Sequence, residues 1–366
     1  MGSSKKKAQR SNRHKNDKRQ SAWKKFLVRA LSGVIMAVLV IVFVLCGENA
    51  LVIGEIFCMR MVFYEILSLS INQDKEKTYG LHSQRFGMGI FWVFLTRFIF
   101  LDEISPYISS LYPIINDFFK PILPFVTACI VLMVIVFYIL SLNSSCLPYQ
   151  FKIGAFIVTG LLITISAAKA SIHTVLFQGL GWLLLRIILV SVNDVGAYLC
   201  GVTLGKHSLI KLSPKKTWEG YLGAIILTVA CGIALPIVFK NWPSMFAPRM
   251  DVLPFIKNPF SRGTIMSEVS DVAIETKNII LFDEKITVFG HVFDALTFHF
   301  GVIAIMISII GPFGGFFASG LKRALKIKDF GESIPGHGGF TDRLDCQMYT
   351  TIFISAYVNC FVNTGL

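Results

Sequence analysis

A chain of 366 residues that is 54% hydrophobic and only 16% charged, with a mean hydropathy of +0.64, has more apolar surface than a soluble globule can bury. It reads instead as an all-α, polytopic integral membrane protein. The formal net charge of +13 points to anionic partners, yet no base-reading module or stacking platform accompanies it, so nucleic acid is excluded as a partner.

Residues 1–29 form a basic tail, read as a disordered cytosolic arm. It holds Lys5, Lys6, Lys7, Arg10, Arg13, Lys15, Lys18, Arg19, Lys24, Lys25 and Arg29 against the single acid Asp17. Its end interleaves Trp23, Phe26 and Leu27 with cations, the pattern of an interfacial anchor on anionic lipid. From residue 30 to 366 the chain reads as one transmembrane domain. About nine spans are predicted, near 31–47, 49–71, 87–101, 121–142, 152–169, 174–192, 221–240, 297–318 and 347–365, since a helix needs ~20 residues to cross ~30 Å of hydrocarbon. The first lies behind the basic arm and reads as a signal anchor. Glu55, Arg60 and Glu65 in the second span and Arg97 in the third must turn toward protein, a water-filled cavity or each other, or, for Glu55, snorkel to the interface.

With the tail in the cytosol, six crossings return residues 193–220 to the same side. Two more place 241–296 in the lumen and bring 319–345 back, so that the active site faces the cytosol. The eight cysteines have no CxxC spacing and read as small apolar residues. Of the histidines, His337 alone has a chemical context.

That context is SGLKRALKIKDFGESIPGHGGFTDRLD, Ser319 to Asp345. If the preceding helix continues past Ser319, Lys322, Lys326 and Asp329 share one face, flanked by Arg323 and Lys328. Beyond the Pro335-Gly336 break, Asp342 and Asp345 stand i, i+3, so both carboxylates and Asp329 converge on one spot. Oxygen ligands flanked by cations suit Mg²⁺ bridging to substrate phosphates. Gly336, Gly338 and Gly339 give the backbone freedom that an anion-holding turn needs. A cytosolic loop whose acids merely pair with its bases is the competing reading. A second polar block, Ser191 to Gly220, again combines an acid, lysines and glycines after an apolar run, which weighs against that alternative.

These residues resemble the CDP-diacylglycerol synthase, or phosphatidate cytidylyltransferase, family of the eukaryotic type. The likeness is carried by Ser319, Lys322-Arg323, Lys328-Asp329, Pro335-Gly336-His337-Gly338-Gly339, Asp342-Arg343 and Asp345. LIKLSPKKTWEG, Leu209 to Gly220, GPFGGFFASG, Gly311 to Gly320, and the stretch from Asn193-Asp194 to Gly205 extend it. The basic tail and the loop after Lys240 depart from the pattern.

The resemblance implies a reaction of CTP with phosphatidic acid to give CDP-diacylglycerol and diphosphate, in an endoplasmic reticulum membrane, by a homodimer like the bacterial relatives. It implies Mg²⁺, with a second cation left open, held by Asp329, Asp342, Asp345 and Asp194. Lys328 and His337 join the three signature aspartates as catalytic candidates. Ser213, Lys215, Lys216, Lys322, Arg323, Lys326, Arg343, Gly338, Gly339 and Asp194 are the substrate-binding candidates. Two alternatives are a CTP-dependent polyprenol or phytol kinase, which would release CDP, and a membrane protein that binds lipid head groups without chemistry.

Overall fold

The computed structural model describes residue 28 and residues 31–99, 113–210, 213–246, 285–288 and 291–362. The basic tail up to Leu27 and most of the predicted lumenal loop lie outside these residues. Ten helices carry the described fold: α1 (Leu31–Leu45), α2 (Glu48–Ser70), α3 (Gln73–Tyr79), α4 (Ser83–Leu95), α5 (Pro113–Leu140), α6 (Leu147–His173), α7 (Leu180–Leu204), α8 (Trp218–Phe239), α9 (Ala295–Ala324) and α10 (Thr341–Tyr357). Two antiparallel hairpins complete it, β1 (Ser208–Ile210) with β2 (Ser213–Thr217) and β3 (Lys285–Val288) with β4 (His291–Asp294). The fold is all-α apart from these.

Each predicted span falls on a helix, and five stretches are long and apolar enough to cross a membrane: Ile122–Leu140, Ser144–Gln178, Leu180–Leu204, Trp218–Phe239 and Ala295–Ala324. The other spans are shorter or, like α2 with Glu48, Glu55, Arg60 and Glu65, more charged. One boundary moves. The break expected after Lys169 comes instead at Gly179, because nothing between stops the helix, which runs on through a π-helical turn at Thr174–Gln178. Gly179 then adopts φ 108°, ψ 150°, a conformation open essentially to glycine alone.

Packing divides the bundle into two apolar cores. One is built by α2, α4 and α6, where the Phe63 and Phe91 rings stack with centroids 5.0 Å apart. The second joins α7, α8 and α9 around Trp182, Phe239, Phe246 and Phe300. Helix α10 belongs to both, giving Met348 to the first and Cys346, Ile354 and Tyr357 to the second. It touches α2, α6, α7 and α9, which is why a helix bearing Thr350, Thr351 and Ser355 keeps these polar groups fully enclosed by protein. By contrast, no residue of Ile122–Leu140 on α5 is buried, so its apolar sides face lipid.

The charges inside the spans turn toward protein, as expected. Arg97 donates to Thr127. Glu55 hydrogen-bonds Ser171 of α6 and faces Arg186, whose guanidinium donates to the Gln347 carbonyl at 3.0 Å. Glu65 reaches furthest, into the 325–340 loop.

Helices α7 and α8 pack closely because their facing positions are small. A Cβ at Gly196 would stand 3.3 Å from the Ala224 Cα, and one at Gly220 only 2.7 Å from the Ala197 carbonyl. The turn between them, with β1 and β2, is tied down by Glu219, which accepts from the Lys206 and His207 backbone at 3.0 and 3.2 Å and lies 2.6 Å from His207 Nδ1. Thr217 caps α8 by accepting from the Gly220 amide. Lys216 is thereby carried to the C-terminal third of α9, beside the start of α10.

Candidate active site

Helix α9 does not continue far enough to align Lys322, Lys326 and Asp329, which corrects the shared face expected above. It ends in a Schellman motif: Lys326 takes φ 56°, its amide donates to the Arg323 carbonyl, and the Ile327 amide donates to the Lys322 carbonyl at 3.0 Å. Lys322 therefore stays on the helix, pointing inward. Arg323 lies exposed on its last turn, and Lys326, Lys328 and Asp329 are exposed in the loop beyond.

Two carboxylates fold that loop. Asp342, in the first turn of α10, takes the Lys322 ammonium on Oδ1 at 2.7 Å and the Phe330 and Gly339 amides on Oδ2 at 2.8 and 3.0 Å. Only 4% of its side chain is exposed and 19% of that of Lys322. Glu65 of α2 accepts from Ser333 Oγ and the Phe340 amide on one oxygen, and from the Thr341 amide and hydroxyl on the other, all within 2.7–2.9 Å. An anion at the start of α10 satisfies amides that have no partner in the helix and meets its positive end.

The glycines serve these anions. Gly336 and Gly338 take φ 75° and 86°. A Cβ at Gly338 would lie 2.9 Å from Asp342 Oδ2, and one at Gly339 would lie 2.5 Å from Glu65 Oε2. His337 braces the same turn: its amide donates to the Ile334 carbonyl, its carbonyl accepts from Arg343 Nε at 3.0 Å, and its Nδ1 lies 2.7 Å from Ser32 Oγ at the start of α1.

Asp345 faces elsewhere. One oxygen accepts from the Cys346 amide at 2.8 Å, and the carboxylate sits beside Gly315 of α9. At Gly315 a Cβ would stand 2.7 Å from Lys216 Nζ and 3.5 Å from Asp345 Oδ2, and at Gly314 it would stand 2.3 Å from the Asp345 carbonyl oxygen. Glycine at both positions is what lets α10 and the Lys216 side chain close on α9. Asp194 of α7 feels the charges of Asp345 and Lys216 and shares Cys346 as a hydrogen-bond partner with Asp345. The Lys216 ammonium also lies 4.5 Å above the Phe316 ring. The neighbour of Asp194, Asn193, is buried and accepts from Thr228 at 3.3 Å, bracing α7 on α8.

The three signature acids are therefore not gathered at one point. Among the described residues no group of three or more His, Cys, Asp or Glu side chains stands close enough to hold a metal. What the structure assembles is a pair, Asp194 with Asp345, joined by Lys216, and separately a folded loop held by Asp342 and Glu65. Asp329 approaches only the Asp342 side, its Cβ 3.4 Å from where a Gly338 Cβ would stand. Both Asp342 oxygens already have fixed donors, whereas Asp194 and Asp345 stand together under the charge of Lys216, with Arg343 also acting on Asp194 and Lys322 on Asp345. Two carboxylates brought together fit Mg²⁺, which takes one or two carboxylates and completes its shell from phosphates and water. Ser213 stands half-buried in β2, while the side chain of Lys215 lies outside the described residues. Glu65 and Ser32 are the loop partners that spacing in the signature did not identify.

Residues 27–361 match the family described as Cytidylyltransferase family. The chain belongs to this family. It is 34% identical over 310 residues to a putative phosphatidate cytidylyltransferase of Schizosaccharomyces pombe, covering 82% of the chain and 68% of that protein. It is 40% identical over 256 residues to phosphatidate cytidylyltransferase of Saccharomyces cerevisiae, covering 69% of the chain and 54% of that protein. With phosphatidate cytidylyltransferase 2 of Homo sapiens it shares 31% identity over 356 residues, 93% of the chain and 76% of that protein. The family match takes in α1 to α10, so both acid-bearing regions lie within it.

Proposed function

We propose that this cytidylyltransferase-family chain is a phosphatidate cytidylyltransferase, joining CTP to phosphatidic acid to form CDP-diacylglycerol and diphosphate. The observation that carries the reading is the meeting of the two polar blocks: Lys216 and Asp194 from the upstream block stand with Asp345 of the downstream one.

A phosphate oxygen of phosphatidate attacks the α-phosphorus of CTP. The new P–O–P linkage forms as the bond to the β-phosphate oxygen breaks, and diphosphate leaves with that electron pair. The lipid phosphate needs no strong base, because the second pKa of a phosphate monoester is about 6. The difficulty is juxtaposing two polyanions, and the chain's own groups address it. Lys216 presents an ammonium beside the two carboxylates, while Arg323, Lys326, Lys328 and Arg343 line the exposed loop above and gather phosphate oxygens there. Lys322 is held by Asp342 and acts by fixing the loop in place. Asp194 and Asp345 would hold Mg²⁺, which when bound supplies charge neutralisation to the triphosphate.

The chain would cross the membrane about nine times with its N-terminus and both acid regions in the cytosol, where CTP is, in the endoplasmic reticulum and as a homodimer. Support for a common side comes from the contacts themselves: the start of α1, the ends of α2 and α9 and the start of α10 meet around the 325–340 loop, and Asp194 of α7 meets the start of α10 beside it.

Incubating the purified chain with labelled CTP, phosphatidic acid and Mg²⁺ tests the reaction. A lipid-soluble cytidine product with an equal release of diphosphate supports it. Release of CDP with a phosphorylated lipid would instead indicate a lipid kinase, and absence of turnover would leave head-group binding alone.

A further inference from the structure

A second polar site lies at the elbow between α2 and α4, apart from the acid pair. Helix α2 ends at Ser70, the Asn72 side chain caps α3, and Gly80 in the left-handed region (φ 64°) turns the chain back into α4. These turns border an open cleft of about 460 Å³. Lys77, His82, Gln84 and Arg85 line it, with Ile71 and Leu81 as its apolar wall.

Its one acid is already engaged. Glu76 accepts from Ser83 Oγ and the Ser83 amide at 2.7 and 2.9 Å and from the Tyr149 hydroxyl at 3.1 Å. Lys77 and Arg85 against Glu76 leave the fixed charges of the cleft at a single net positive charge. An orphaned donor stands in the same wall: Gln84 Nε2 is buried and has no hydrogen-bond partner among the described residues. A buried amide without a partner is destabilising unless something supplies an acceptor.

Below Arg85, Gly89, Trp92 and Val93 follow at i+4, i+7 and i+8 and are exposed, so one face of α4 runs from the cation down an open apolar stripe. A cation and an amide donor above an apolar stripe match an amphiphile with an anionic head.

From this geometry we infer that the α2–α4 elbow is a binding site for the phosphodiester head group of an anionic phospholipid, whose acyl chains lie along the exposed face of α4. One negative charge on the diester matches the net charge of the cleft. Gln84 Nε2 and Arg85 donate to the phosphate oxygens, and Lys77 lies at the rim. The site stands about 9 Å along α2 from Glu65, counting six residues of helical rise, so its occupant adjoins the helix that anchors the catalytic loop without touching the acid pair.

The test uses the full chain in phosphatidylcholine nanodiscs containing a photoactivatable phosphatidylglycerol, with crosslinks mapped by peptide mass spectrometry. Wild type should crosslink within residues 71–93. Lys77→Glu with Arg85→Glu, and separately Gln84→Leu, should lower that yield roughly tenfold, the loss expected for hydrogen bonds to a charged group. Lys75→Glu is the control. Lys75 lies on α3 too, but its ammonium sits 5.3 Å over the Tyr149 ring and it does not line the cleft.

Retention of the yield in Gln84→Leu, or an equal fall in Lys75→Glu, would mean only diffuse attraction of lipid to a basic surface and would overturn the site. Loss of the crosslink on adding excess glycerol 3-phosphate would overturn the lipid assignment in favour of a soluble phosphoester. Hydrogen exchange on each variant, unchanged across α2, α4 and α6, separates loss of binding from loss of fold.

Discussion

Asp342 and Asp345 stand one helical turn apart on α10 and meet different surroundings. Asp342 is 4% exposed and has one ammonium and two backbone amides fixed on its oxygens. Asp345 belongs to the same half-buried class of residue, but its neighbours are a second carboxylate, Asp194, and the charges of Lys216 and Lys322. A carboxylate whose acceptor sites are filled by the protein holds the protein's shape. Two carboxylates drawn together, with fewer protein donors fixed on their oxygens, keep capacity for a further cation. The difference teaches that acids within one short signature divide between folding the site and equipping it, and that the hydrogen-bond partners reveal the division.

The largest expected effect separates these two roles. Asp345→Asn and Asp194→Asn keep size and remove a charge where charge is concentrated, so synthesis should fall by roughly a hundredfold or more while thermal stability stays near wild type. Their residual activity should rise with added Mg²⁺, since a weakened site refills by mass action, and the double variant should be little worse than either single one. Asp342→Asn should also lose synthesis, but with a lowered unfolding temperature and no recovery at high Mg²⁺. Were Asp342→Asn to melt like wild type and recover with Mg²⁺, the two roles would have to be exchanged.

Next in size is Glu65→Gln, which tests whether the loop-folding role extends beyond the signature. The amide nitrogen would face either the Ser333 and Phe340 donors or the two donors of Thr341, leaving buried N–H groups without an acceptor. The expected destabilisation is about 2–3 kcal/mol, read as a lower unfolding temperature. The Mg²⁺ dependence of the remaining activity should be unchanged, and a shift in it would place Glu65 with the acid pair.

Smaller again is the effect of the cation at that pair. Lys216→Ala should raise the apparent KM for CTP or phosphatidate by roughly tenfold, the value of a hydrogen bond to a charged group, with a lesser change in kcat. Arg323→Ala, in the exposed loop, should do less. Wild-type kinetics in both variants would remove the phosphate-gathering role from these side chains.

Much of the architecture is written in residue types. Long apolar runs locate the helices, and the polar blocks at their ends locate the site. The i, i+3 spacing of Asp342 and Asp345 places them on one side of α10, but it leaves them about 60° apart around the axis. Because α10 lies between two cores, that angle is enough to direct one toward the loop and the other toward α7 and α9, and only packing reveals it. The stop at Leu325 was hidden because Lys326 occupies the left-handed position where glycine is usual. Glu65 did carry a signal, since an acid in an apolar span needs a partner. Its partners are about 270 residues away in sequence, at Ser333, Phe340 and Thr341, beyond any local pattern.

The smallest effect is expected at the opposite end of the bundle, where Lys240 and Asp294 pair at 2.9 Å just outside α8 and α9. Their side chains are 46% and 44% exposed, against 19% and 4% for Lys322 and Asp342, so solvent screens the outer pair far more. The hydrogen bond and charge of Lys240 hold the Asp294 carboxyl below its ordinary range, with Lys285 adding to the effect. A carboxyl whose pKa is lower folded than unfolded adds stability at pH values above the unfolded pKa, and that stability fades as pH falls through the folded one. At neutral pH, Asp294→Asn should therefore lower the unfolding temperature slightly and leave synthesis unchanged. The difference from wild type should begin to shrink near about pH 4, the unfolded carboxyl's range, and vanish only once pH has fallen below the lowered folded value. Salt should likewise erase it, because an exposed pair is screened within a Debye length of about 8 Å at physiological ionic strength. If Asp294→Asn were as damaging as Asp342→Asn, burial would not be what distinguishes the two pairs, and the contrast between anchoring and peripheral acids would need another cause.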